Sequence, residues 1–438
     1  MKKKLFLLFP VLLIFFFPSV VYPKNKSLGI SSHQRSPQRE KIVKLDEFIK
    51  IALENNPQIQ AAEKRWQATK EIIPQARSLP DPMISYTHFG RSIETKLGPQ
   101  RNKISISQKF PFFGKLSLKG QITQKQANSL EEQYKAVKKD IILKVKKAYY
   151  DLYWINKSIE ITQKEKEVLQ RLEKIAEKKY ETGTASQQDV LKAQVEISKI
   201  IDKLLLLNQQ KKAIKANLNA LLNRPADSFI GEPEDFEISK FNYTLEELYK
   251  MAKENRPELR SVFFLIEKNK AAIKLAKKNY YPDFALMFSY VDIGGGTTMN
   301  PEDGSDSWMG SIGINIPIWR KKLHAGEEEA INNLKASERN YKDIENNTLS
   351  QVNELYFEVK TAEEVVKLYK YSLLPQAEQS FKASEAGYLT GKVDFLNLLD
   401  SERMLLHIKI GYFKSMADFE KSLAQLERVV GTDLIRKL

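Results

Sequence analysis

Two short segments of this sequence repeat one pattern: "KKYETGTASQQDVLKAQ" at residues 178–194 and "EAGYLTGKVDFLNLLDSER" at residues 385–403. In each, a tyrosine stands three residues before a glycine, and an amphipathic run follows. Glycine after a helical run is typical of the left-handed residue that ends a helix. Ser186 and Asp394, a few residues further on, suit the start of the next helix because their side-chain oxygens can accept its first N–H groups. The sequence therefore predicts two helix-turn-helix tips, at Gly183 and Gly391.

The rest of the chain is duplicated as well. "LDEFIKIALENNPQIQ" at 45–60 returns as "LEELYKMAKENRPELR" at 245–260, a constant offset of 200 (245 minus 45). By Gly183 and Gly391 the offset has grown to 208 (391 minus 183). The chain is therefore a tandem duplication of a unit of roughly 200 residues, the kind of self-similarity that marks a repeated structural unit.

The composition favours long helices over a compact enzyme fold. The 438 residues include 18 glycines and 17 prolines, and 29% of all residues are charged, a profile typical of charged helices. The net charge is +15, yet lysines alternate with glutamates along helical faces, as in 164–179. Such alternation indicates a solvated helix surface, so we expect no nucleic-acid partner.

The N-terminus resembles a secretory signal peptide. Three lysines precede an apolar run from Leu5 to Val21, and a polar segment follows. We predict a signal peptide at 1–23, with an uncleaved membrane anchor as the alternative. The chain has no cysteine, so it has neither disulfides nor an acylated N-terminal cysteine, and any membrane attachment has to come from the fold.

Each repeat contains two segments that alternate between apolar and polar residues. These predicted strands lie at about 83–90, 101–110, 283–291 and 308–318. Their length of about ten residues is what a tilted strand needs to cross a bilayer. Aromatic residues cluster at their ends, where the interfacial girdles of membrane barrels lie. The segments that join them, 91–100 and 292–307, are polar and we expect them to be loops.

A long helical segment follows the second strand of each repeat. It covers roughly 115–180 in the first and 322–388 in the second, and sixty-odd helical residues extend about 100 Å. Apolar residues recur at three-four spacing along these segments and along the helices after the tips, which predicts antiparallel coiled coils. Four membrane-length strands cannot close a barrel, and open edges in lipid leave backbone groups unpaired. We therefore expect the chain to oligomerise around an aqueous duct.

The duplicated unit, "SLPDPMISY" (78–86), "FPFFGKL" (110–116) and the two tips resemble the TolC family of outer-membrane efflux proteins. Residues 373–406 resemble its heavy-metal-efflux branch. The resemblance implies a mainly α protomer of tandem coiled-coil repeats with four strands. Three copies would form a twelve-stranded β-barrel in the outer membrane and an α-helical tunnel in the periplasm. It also implies two partners, a periplasmic adaptor and an inner-membrane resistance-nodulation-division pump.

The resemblance divides the chain into segments. These are the signal peptide (1–23), an N-terminal segment (24–44), a first repeat (45–224), an equatorial linker (225–244), a second repeat (245–431) and a C-terminal tail (432–438).

Family resemblance also implies the residues of a periplasmic gate. Tyr388 matches the gate tyrosine, and Asn397 and Asp400 occupy the positions of two acidic ring residues, of which one is lost here. Asp189 lies opposite Asn397 in the repeat, so a mixed ring from both tips is possible. Val393 stands where the family's best-known member has a gate arginine.

Adaptor docking is expected at the tips themselves. The residues concerned are Gly183 and Thr184 in the first tip and Gly391 and Lys392 in the second.

We predict no enzymatic activity, no cofactor and no metal-ligand set. The sequence has no nucleophile elbow or phosphate-binding loop, and its four histidines are dispersed. The predicted function is passive export through an outer-membrane duct of a tripartite efflux system, with heavy-metal cations as candidate substrates. Two alternatives remain open: a duct for type I protein secretion, and a periplasmic coiled-coil scaffold without a pore.

Overall fold

The computed structural model describes residues 42–296 and 298–434. The predicted signal peptide (1–23), most of the N-terminal segment (24–44) and the last four residues of the tail lie outside this part of the chain. The description below concerns the unit that begins at Ile42.

Each half begins with two consecutive helices. These are α1 (Leu45–Asn55) and α2 (Pro57–Arg77) in the first half, and α5 (Leu245–Asn255) and α6 (Pro257–Lys278) in the second. The break between α1 and α2 has a local cause: Pro57 occupies the first turn of α2, and the Asn56 side chain accepts the Gln58 N–H at 2.9 Å. Pro257 begins α6 in the same way. The helices of the two halves thus begin at the offset of 200 seen in the sequence, and their ends agree to within one residue.

Four strands form one antiparallel sheet. They are β2 (Met83–Thr95), β3 (Gly98–Phe110), β5 (Phe284–Ile293) and β6 (Ser307–Ile314), in the order β2-β3-β5-β6. Two further short strands, β1 (Ile42–Val43) and β4 (Glu232–Pro233), pair in parallel elsewhere.

The strand limits differ from the sequence expectation at two places. Residues 91–100, expected to be a loop, are mostly strand, because β2 and β3 are joined by a turn at Lys96 and Leu97. Strand β6 ends at Ile314, earlier than the expected 318. Pro317 lacks the N–H that a ladder needs, and the Asn315 side chain turns to accept the Asp283 N–H instead.

The two faces of the sheet differ in polarity. One face carries exposed apolar side chains in register across the strands, for example Tyr86 beside Ile104 and Leu286 beside Ile312. On the opposite face the Ser105 and Ser289 hydroxyls share a hydrogen bond of 2.8 Å. Ile312 is 77% exposed, so this face is available to an apolar environment outside the protomer.

Five long helical segments follow the strands. They are α3 (Lys115–Glu181), α4 (Gln187–Leu221), α7 (Arg320–Leu368), α8 (Leu374–Leu389) and α9 (Phe395–Val430). With 67 residues, α3 extends about 100 Å. Among the helices of the described residues, none combines the length and apolar character that a membrane span requires.

The second long helix is not continuous. A π-helical segment, Tyr369–Leu373, separates α7 from α8. Pro375 is the second residue after it. A proline lacks the N–H and crowds the carbonyl four residues earlier. A local change of hydrogen-bond register accommodates both effects, which explains why the expected single helix over 322–388 is divided here.

The core that supports the tips lies between α3, α4, α8 and α9. Its buried members include Leu169, Leu172, Ala193, Ala377, Phe381, Phe395, Leu398 and Leu405. Val190, Ile197 and Leu204, which belong to the apolar three-four pattern of α4, pack against it. The coiled-coil spacing of the sequence thus becomes the packing that holds the two hairpins together.

Candidate functional site at the helical tips

The first tip is organised around one backbone carbonyl. Gly183 has a φ of 69°, a left-handed conformation that glycine adopts without steric cost. The chain then folds back so that the Thr184 and Ala185 N–H groups both donate to the Lys179 carbonyl, at 2.8 and 3.1 Å. Helix α4 begins after Ser186, whose hydroxyl contacts the Asp189 carboxylate at 3.2 Å and makes no capping bond to the backbone.

The second tip repeats this construction. Gly391 has a φ of 76°, and the Lys392 N–H donates to the Gly387 carbonyl at 2.8 Å. Asp394 caps α9 by accepting the Asn397 N–H at 2.8 Å. A side chain at Gly387 would place its Cβ 2.4 Å from Val393. Val393 therefore packs closely against Gly387 in this turn.

A lysine joins the two tips. The Lys179 ammonium donates a hydrogen bond to the Tyr388 carbonyl and lies 4.7 Å from the centre of the Tyr388 ring. A cation over an aromatic face is attracted by the negative face of the ring. The two tips of one protomer are thus held by a polar contact that the sequence analysis did not identify.

Tyr388 is a core residue in this protomer. It is 4% exposed and packs against Phe395, with ring centres 5.2 Å apart. Burial, with a smaller contribution from the Asp189 charge, raises the pKa of Tyr388 to about 12. Among the described residues its hydroxyl has no hydrogen-bond partner. Two predicted gate residues, Tyr388 and Asp189, thus lie close enough for the charge of Asp189 to affect the pKa of Tyr388.

Asn397 and Asp400 lie on an exposed face of α9, apart from the buried Tyr388. The Asn397 amide donates to the Asp394 carboxylate at 3.1 Å. Asp400 pairs with Arg403 at 2.8 Å, and its side chain is 57% exposed. Asp400 is therefore a solvated carboxylate that already has a cationic neighbour.

Arg403 links α9 to α4. Its guanidinium holds the Glu196 carboxylate by two hydrogen bonds, at 3.1 and 2.5 Å, while it also contacts Asp400. The Glu196 hydrogen bond raises the pKa of Arg403. Burial opposes ionisation of Glu196, but hydrogen bonds from Arg403 and Lys199 outweigh it and lower the Glu196 pKa. This second link was also missed, although the spacing of Asp400 and Arg403 allowed their pairing to be foreseen.

The side chains at the tips make polar contacts with one another and with a backbone carbonyl. Within residues 42–296 and 298–434 no group of three or more histidine, aspartate or glutamate side chains is arranged to hold a metal ion. What the tips present is a set of exposed polar and acidic groups on α9, with a buried tyrosine and two basic links behind them.

The sequence matches the family model of the outer membrane efflux protein in two segments, residues 48–224 and 248–432. These segments coincide with the two halves of the fold. The chain therefore belongs to the outer membrane efflux protein family, whose members are outer-membrane channels that extend into the periplasm.

Three curated relatives match most of the chain. The cobalt-zinc-cadmium resistance protein CzcC of Cupriavidus metallidurans is 20% identical over 88% of this chain and 90% of its own length. The outer membrane protein TolC of Vibrio cholerae is 21% identical over 89% and 90%. The alkaline protease secretion protein AprF of Pseudomonas aeruginosa is 20% identical over 87% and 83%.

The fold is also that of a solved channel. The crystal structure of CusC superimposes with a TM-score of 0.75 at 17% identity, covering 92% of this chain and 96% of that one. The predicted fold class is thereby confirmed. The family match confirms the relation to the TolC family, so the chain is an outer-membrane efflux channel.

Proposed function

We propose that three copies of this chain form a duct that exports heavy-metal cations delivered by a periplasmic adaptor and an inner-membrane resistance-nodulation-division pump. Channels of the family form trimers and work with adaptor and pump partners. For this chain the main support for the proposed duct is the four-stranded sheet. It presents an exposed apolar face, and its outer strands β2 and β6 each pair on one side only within the described residues.

Open strand edges are costly in a membrane because unpaired N–H and C=O groups lose their water. A neighbouring copy can supply the missing partner for β2 and for β6. Three copies of four strands make twelve, a number large enough to leave an aqueous lumen. The exposed apolar side chains then face the lipid of the outer membrane.

Segment roles follow from this arrangement. We assign residues 45–224 and 245–431 to the two repeats and 225–244 to an equatorial linker between them. The exposed tips, at Gly183 and Thr184 and at Gly391 and Lys392, are then the surfaces that meet the adaptor.

The gate is assigned to the tips. Asn397 and Asp400 share the exposed face of α9, Tyr388 is buried, and Asp189 of α4 lies near Tyr388. Three copies of a carboxylate at a constriction attract cations and repel anions. Because Arg403 offsets part of the Asp400 charge, we expect moderate cation selectivity.

Metal cations are the favoured substrate for two reasons. The name of the relative CzcC refers to cobalt, zinc and cadmium, and residues 373–406 resemble the heavy-metal branch of the family. A duct for protein secretion is the second candidate, because AprF is named for alkaline protease secretion and matches this chain at a similar identity.

Two measurements test the proposal. In planar bilayers the purified protein should form small, cation-selective channels, and Asp400→Asn should reduce the selectivity. In cells that lack the protein, accumulation of cobalt, zinc and cadmium should rise and return to normal when the gene is restored. Unchanged metal levels together with a lost secreted protein would support the second candidate, and failure to insert into membranes would contradict both.

A further inference from the structure

Three carboxyl groups are buried between the helices that support the tips. Glu165 of α3 is 5% exposed, Glu196 of α4 is 7% exposed and Glu402 of α9 is 1% exposed. Glutamate is almost never buried to this degree unless it is paired. Each of the three therefore needs a hydrogen-bonding or charged partner.

Glu196 has cationic partners, Arg403 and Lys199. Glu402 has none in direct contact: among the described residues, no donor reaches its buried Oε1 atom. The buried carboxyl of Glu165 lies close enough to interact with that of Glu402 and to raise its pKa. Two carboxyl groups can share a hydrogen bond only if one of them carries a proton.

The other charged groups around Glu402 come from two helices. Lys203 and Glu196 face it from α4, and Arg403 adjoins it on α9. Lys203 lies near both Glu402 and Glu165, and burial lowers the pKa of its ammonium group. Helix α8 contributes apolar side chains to the surrounding core, among them Ala377 and Phe381.

These surroundings favour a neutral carboxyl. Burial and the neighbouring Glu165 and Glu196 raise the pKa of Glu402, and Arg403 offsets only part of this effect. Glu402 therefore keeps its proton to a higher pH than an ordinary glutamate does. Because the folded-state pKa lies above its ordinary value, the contribution of this contact to the packed state is present at low pH and is lost as the pH rises through the raised pKa.

We infer that Glu165 and Glu402 form a buried proton-binding site that holds the gate end of α9 against α3, so that release of this proton loosens the periplasmic end of the channel. The inference rests on the proposed channel function and adds a regulator to it. Its ligand is a single proton, taken up from or released to the periplasm.

The site is close enough to the gate to act on it. Glu402 stands two residues after Asp400 on the same helix, and adjacent Arg403 contacts both Asp400 and Glu196. When the proton leaves, like charges face each other in a water-poor layer and repel strongly. Movement of α9 away from α3 reduces this repulsion, and Asp400 moves together with α9.

The first test is channel conductance of the native protein in planar bilayers as the pH is raised from about 6 to about 10. This range lies above the ordinary glutamate pKa of about 4.3, so an ordinary carboxyl stays ionised throughout. Conductance should rise on the alkaline side. Glu402→Gln should abolish this rise, because an amide donates to Glu165 at every pH. Glu167→Gln is the matched control, since Glu167 lies on the exposed surface of α3 and its loss should leave the rise intact.

A second readout does not depend on conduction. The chain has no cysteine, so cysteines placed at the exposed Thr184 and Lys392 can carry the only spin labels. The label distance should lengthen with pH in the native background and stay constant with Glu402→Gln.

The outcomes separate the two proposals. A native conductance and label distance that do not change with pH, or a Glu402→Gln variant that responds like the native chain, would overturn the proton site. Absence of conductance at every pH would instead contradict the channel function, and the label distances would then decide on the proton site alone.

Discussion

Lys179 and Tyr388 join the two tips of the protomer through two contacts at once. The Lys179 ammonium donates to the Tyr388 carbonyl and lies 4.7 Å from the centre of its ring. The Lys179 carbonyl, in turn, accepts the two N–H groups that close the first tip. One residue therefore both shapes the first tip and ties it to the second.

Removing this lysine should loosen the tips. Lys179→Met keeps the length of the side chain but loses the hydrogen bond and the cation–π contact, each contributing about 1 kcal/mol. We expect a several-fold higher open probability in bilayer recordings. Lys178→Met, at the exposed neighbouring position, is the control. Equal recordings from the two variants would show that the contact does not restrain the tips.

The glycines at the tips should resist substitution for a conformational reason. No atom lies within 4 Å of a Cβ added at Gly391, but its φ is +76°, and a left-handed backbone costs about 1–2 kcal/mol for other residues. Gly391→Ala should therefore lower thermal stability.

Gly326 provides the matched control for this glycine. It also has open space around it but lies inside α7, where alanine is preferred by about 1 kcal/mol. Gly326→Ala should raise the melting temperature in the same assay. A shift of the same sign in both variants would contradict the conformational explanation.

Arg403 should influence both stability and selectivity. Arg403→Gln leaves the largely buried Glu196 with Lys199 alone, and we expect a loss of about 1–2 kcal/mol in the free energy of unfolding. It also removes the cation beside Asp400, so the ratio of cation to anion permeability should increase. Reversal-potential measurements under a salt gradient test this, with the exposed Arg339→Gln as control. A decrease in cation selectivity would show that Asp400 is not at the constriction.

The apolar face of the sheet should tolerate no charge. Ile312 is 77% exposed in the protomer, and a lysine facing the middle of the bilayer costs about 2–4 kcal/mol. Ile312→Lys should therefore reduce membrane insertion, measured as the fraction of protein in the outer-membrane pellet. Ser311→Lys, on the opposite face of the same strand, should insert normally. Normal insertion of both variants would show that this face of the sheet does not meet the lipid.

Much of the fold was determined by the sequence alone, because its signals are local or periodic. The offset of 200 between the halves, the helix break before Pro57, the left-handed glycines and the strand alternation all follow from backbone chemistry and side-chain spacing. They predicted the element order and the two tips. The early end of β6 and the π-helical segment were not predicted, although Pro317 and Pro375 stand close to them in the sequence.

The contents of the candidate site depended on tertiary structure. Lys179 meets Tyr388 across more than two hundred residues of sequence, and Glu165 meets Glu402 between different helices. On a helix wheel these residues resemble the many solvated lysines and glutamates of the chain. Only the rotation of each helix about its axis, set by packing of the shared core, decides which charges become buried and which remain in water.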